Sequence, residues 1–88
     1  MTFNTIADIE KRLNELPHFS LSQIAHNVGV ARFYVMRNDE LRIAILAIAK
    51  GEISPLPYYK RSIKQPVLLY HQDIVDAVLT FSETNINK

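Results

Sequence analysis

Apolar residues recur at helical spacing along most of this chain. Ile6, Ile9, Leu13 and Leu16 form one stripe, which predicts a helix from Ile6 to about Leu16. Thr5 with Asp8 reads as its capping pair, and Pro17 stops it. Ser20 with Gln23 is a second capping signature. It opens a short helix, Leu21 to Val28, whose inner face is Leu21, Ile24, Ala25 and Val28. Gly29 supplies the left-handed residue that ends it. Asn38 is expected to cap a third helix, Asp39 to Lys50, with Asp39 and Glu40 in the first turn, where the helix dipole favours acids. Gly51 closes that helix.

Two helices carry more apolar surface than one stripe. From Ile43 to Ala49 the third helix is apolar on every face, so it is sandwiched in a core or shared with a partner chain. A closing helix at 72–82 is nearly as apolar, through Ile74, Val75, Ala77, Val78, Leu79 and Phe81. The two are expected to pack on each other, with enough left over for a homodimer seam through 39–50 and 72–82. Between them, Pro55, Pro57 and Pro66 argue against helix. Val67 to Tyr70, paired with Ile63, reads as a short β-hairpin or wing near 58–70. Val30 to Arg37 fits an extended and a helical path alike, since either would bury some of Val30, Phe33, Val35 and Met36. The tail from Glu83 is expected to fray. The fold class is therefore all-α or mostly α, a small helical bundle.

Composition narrows the class. Its 88 residues allow one domain, 1–88, with one modest core. A hydrophobic content of 48% and a charged content of 22% argue against disorder throughout. The lack of cysteine removes disulfides, thiol catalysis and zinc-finger frameworks, and fits a reducing cytoplasm. No basic start leads into an apolar run, so no signal peptide is read, and Ile43 to Ala49 is too short to cross a bilayer. A soluble cytoplasmic protein is expected.

The net charge of +1 hides an asymmetry. Residues 30–64 carry seven basic and three acidic side chains, a net of +4, while residues 1–29 stand at −1 and 65–88 at −2. The bland account of this middle third is solvated surface charge; the sharper one is a patch facing a polyanion. Arg32 and Arg37 flank Phe33-Tyr34, and Tyr58-Tyr59-Lys60-Arg61, with Lys64 beyond, repeats the mixture of aromatics and bases. Cations neutralise phosphates and exposed tyrosines stack on bases, which makes these residues candidate nucleic-acid contacts. Phe33 is expected in the core.

Catalysis has little behind it. His18, His26 and His71 lack the spacing of a metal site, and Asp73 with Asp76 reads as an ordinary solvated edge. No serine stands in a nucleophile elbow, and two glycines do not make a phosphate-cradling loop. No enzyme activity, metal or cofactor is expected.

Residues 17–51 resemble the small N-terminal helical domain of transcription termination factor Rho, and more broadly the helix-extended-helix group that includes SAP domains. The resemblance lies in Leu21, Ile24, Ala25, Gly29 and Val30, a stretch closing on Met36-Arg37, then Asp39-Glu40-Leu41 and Ala44-Ile45-Leu46. It covers about 35 of the 88 residues. It implies nucleic-acid contact through the connector and the start of the next helix: Arg32, Tyr34, Arg37, Asn38 and Arg42. The same segment also resembles a helix-turn-helix, with 52–71 as a basic loop or wing and 72–82 as the closing helix of excisionase-like or MerR-like winged domains. That reading needs a helix over Ala31 to Arg37, and its Gly29-to-Gly51 interval is longer than the family's. Both imply a nucleic-acid partner, DNA ahead of RNA, and an accessory role in transcription or DNA maintenance. The competing class is a protein–protein adaptor that buries its apolar helices in a partner.

Overall fold

Among the described residues, 3–56 and 71–86 of the computed structural model, there are four α-helices, one 3-10 turn and no strand. The mostly α class holds. Helix α1 (Ile6–Asn14) starts as the sequence predicts. The Asp8 N–H donates to Thr5 Oγ1 at 3.2 Å, and the Thr5 N–H donates back to Asp8 Oδ2 at 3.1 Å. Each bond satisfies a donor that the helix start leaves without a partner. Ile9 and Leu13 bury the inner face completely.

Helix α2 (His18–Val28) begins three residues earlier than the capping signature implies, with extended Pro17 as its N-cap. Ser20 is not a cap. It sits inside the helix, buried, and its hydroxyl pairs with His71 Nε2 at 2.9 Å. A hydroxyl drawn into the core needs a partner there, and His71 supplies it.

Both glycines close helices in the same way. At Gly29, φ is 91°, its N–H donates to the His26 carbonyl and the Val30 N–H reaches back to Ala25. At Gly51, φ is 77°, its N–H donates to Ile48 and the Glu52 N–H to Ala47. This pair of reverse bonds satisfies carbonyls stranded at the helix end and places the next apolar side chain, Val30, on the core.

Helix α3 (Asn38–Ala49) starts one residue before its expected position. Arg37 is the N-cap residue, and Glu40 accepts from its N–H at 2.9 Å. Asn38 is the first helical residue rather than the cap. The helix touches each of the other three and buries Leu41, Ala44, Ile45, Leu46, Ala47, Ile48 and Ala49. The all-round apolar pattern is thus used inside one chain, with Ile43 the exception at 67% exposed. Helix α4 (Gln72–Ile86) packs on α3 most extensively and buries Ile74, Val75 and Val78. Its tail does not fray at Glu83; the helix runs on to Ile86, and the Thr84 hydroxyl donates to the Thr80 carbonyl at 3.1 Å.

Two contacts set the direction of α2 relative to α3. His18 Nδ1 pairs with Asn38 Oδ1, which joins the two helix starts. At the far end, the Leu56 N–H donates to the Gly29 carbonyl at 2.9 Å, so the chain leaving α3 lies on the end of α2. The two helices therefore start at the same end, and the connector between them runs back alongside.

Two stability tests follow from this packing. Ile45→Ala is expected to lose roughly 2–5 kcal/mol by opening a cavity, whereas Ile43→Ala should stay within about 0.5 kcal/mol of wild type. Denaturant titration of both variants measures the contrast. Gly29→Ala places a Cβ 2.8 Å from the Leu56 nitrogen on a left-handed backbone. It should lose at least roughly 1–2 kcal/mol, read as a lower thermal midpoint.

Candidate nucleic-acid interface

The connector is neither continuously helical nor extended throughout. Val30 is buried, and Arg32 then turns the backbone left-handed at φ 56°, the one non-glycine among the described residues to do so. Phe33–Val35 form a single 3-10 turn, closed by Val35 N–H to Arg32 and Met36 N–H to Phe33. Met36 and Arg37 are extended and lead into α3. A helix over Ala31 to Arg37 does not form.

Phe33 holds this turn to the fold. The sequence places it in the core; it is instead half-buried, packed against the core's edge, and stacks on the His26 ring with centroids 4.8 Å apart and planes 13° apart. Tyr34 meets Phe33 edge to face, 5.6 Å away, and is otherwise open at 73% exposed. Arg32 and Arg37 on either side are exposed, and neither forms an ion pair among the described residues. A long cation gains little from folding when it has no partner, so its charge stays available to a ligand.

The other candidates separate. Asn38 is committed through its carboxamide oxygen to His18, which makes it a tie between α2 and α3. Arg42 lies one turn further along α3 on the same face, half-buried. Asp39 and Glu40 bring negative charge to the start of α3, exposed beside Arg37. Tyr58, Tyr59, Lys60, Arg61 and Lys64, and the hairpin or wing near 58–70, lie outside the described residues.

Among the described residues, no group of three or more His, Cys, Asp or Glu side chains is arranged to hold a metal ion. The histidines are spread over His18–Asn38, His26–Phe33 and His71–Ser20 contacts. Asp73 accepts from the Ile74 N–H and Asp76 from Gln72, so both carboxylates serve their own helix. The His71–Ser20 pair, 51 residues apart, leaves no signature in the sequence. Next to the connector, Val30, Met36, Ala44, Ile48, Ile53 and Leu56 line an apolar cavity of about 140 Å³.

No family model matches the chain, and no curated protein or solved structure matches it.

His71 has the one resolved titration shift among the described groups. Burial lowers its pKa below the usual 6.5, the Arg12 cation lowers it further, and Asp73 partly opposes them. The folded protein then takes up this proton less readily than the unfolded chain. Stability is fully present above about pH 6.5 and falls as pH drops toward the folded-state pKa. Chemical unfolding between neutral pH and mild acid should show this decline. The slope should flatten in His71→Gln.

Proposed function

We propose that this protein binds nucleic acid through its middle third, with Arg32, Tyr34 and Arg37 as the central contacts. The observation that carries the reading is the connector itself. An open tyrosine stands between two exposed arginines on a backbone pinned at Phe33, and the surrounding third of the chain carries a net +4. Cations on a fixed segment meet backbone phosphates without first giving up an internal ion pair. The connector returns between two helices that start at one end, as the helix-extended-helix resemblance implies, but its middle is a 3-10 turn and only Met36 and Arg37 are extended. Arg42 and the basic residues Lys60, Arg61 and Lys64 extend the positive charge along the chain. An accessory role in transcription or DNA maintenance, with DNA ahead of RNA, suits such a module.

A protein–protein adaptor is the second reading, favoured by apolar exposure. Val35 is 61% exposed, Ile43 and Ile53 are also open, and the cavity beside the connector is lined by apolar side chains. The net charge of +1 over the whole chain is low for a nucleic-acid binder acting alone.

Titration with random oligonucleotides at low and moderate salt separates the two. Binding should weaken steeply as salt rises, and Arg32→Ala or Arg37→Ala should each reduce the salt slope by about one. Their folding stability should move by no more than ~0.5 kcal/mol. Variants that fold normally and bind as wild type would give first place to the adaptor.

A further inference from the structure

We propose that Tyr34 is a stacking platform for an unpaired base, so that the connector takes single-stranded rather than duplex nucleic acid. This rests on the nucleic-acid reading of the connector and specifies the strand state of its ligand. The rings of Tyr34 and Phe33 stand 84° apart, so Phe33 covers at most one face of Tyr34. At least one face is open to solvent. Phe33 is itself clamped on His26, which holds the tyrosine on a short, anchored turn and reduces the freedom it loses on binding.

A duplex offers this surface little. Its bases are already stacked on each other, and its major groove admits a helix or a two-stranded ribbon. The connector is a three-residue 3-10 turn, and neither form is present there. Entering a groove with the start of α3 instead would bring Asp39 and Glu40, both exposed, against the phosphates. A single strand avoids both problems. It can turn one base onto Tyr34 and direct the neighbouring phosphates to Arg32 and Arg37. Stacking of this kind tolerates any base, because every base has a π face. DNA and RNA single strands share this chemistry.

Fluorescence anisotropy on the full chain tests the proposal. The probes are labelled oligo-dT, oligo-U, an abasic oligomer and a hairpin duplex with the same number of phosphates. At least one single strand should bind about tenfold tighter than the duplex and the abasic oligomer. The stronger of oligo-dT and oligo-U identifies the sugar. Tyr34→Leu should weaken single-strand binding by about tenfold and so abolish its preference over the abasic oligomer and the duplex, while Tyr34→Phe keeps that preference. Unchanged helical circular dichroism confirms that both variants fold. If Tyr34→Leu unfolds, the abasic oligomer and Tyr34→Phe still decide the matter. Equal or tighter binding of the duplex, or a neutral Tyr34→Leu, overturns the stacking platform while the charge-based reading stands. If no oligomer binds even at low salt, both fall.

Discussion

Burial of α3 on nearly every side is the constraint from which the rest of this structure follows. Its apolar side chains point in all directions, and one covering helix shields only part of that surface. Helices α1, α2 and α4 therefore all pack against it. Leu41, Ile45 and Ile48 are completely or almost completely removed from water, and each contributes roughly 1.5–3 kcal/mol of burial. In a chain of 88 residues this single helix supplies much of the core, so the other elements are placed by what they must cover.

The connector is a consequence of that arrangement. Helices α2 and α3 begin together at the His18–Asn38 contact, so the chain must return the length of α2 before α3 starts. Gly29 sends the backbone away from the helix axis, and the Leu56 N–H, bonded to the Gly29 carbonyl, leaves no room there for a Cβ. Val30, Phe33 and Met36 face the protein along the way back. Arg32, Tyr34 and Arg37 are left outside. The same residues that hold the connector down thus determine which ones it displays.

This separation of roles matters for the proposed function. The exposed arginines and tyrosine contribute almost nothing to the core, while the half-buried Phe33 and Met36 bind the segment to it. Acidic residues sit close by: Glu40 holds the Arg37 N–H, and Asp39 complements the dipole of α3. Their charge offsets part of the positive field.

The sequence by itself determined the helices and, through local bonds, three of their boundaries. Thr5 with Asp8 and the two glycines act through bonds between residues a few positions apart, and such bonds are written in local spacing. The amphipathic stripes likewise identified Ile9, Leu13, Leu21, Ile24 and Val28 as core, because periodicity and burial have the same origin. The candidate residues of the connector were legible as types: cations around an aromatic pair. Only the tertiary structure decided which of them are displayed and which are tied. Asn38 looked like a free cap and is bound to His18; Ser20 looked like a cap and is bound to His71. Those partners are 20 and 51 residues away, beyond any local pattern. Ile43 belongs to the same apolar run as Ile45 and Ile48, yet it alone faces water, because its face of α3 is the one left uncovered. The left-handed turn at Arg32 has the same kind of cause. Nothing in an arginine favours that conformation; it stands between buried Val30 and Phe33 stacked on His26, two positions that the tertiary packing fixes.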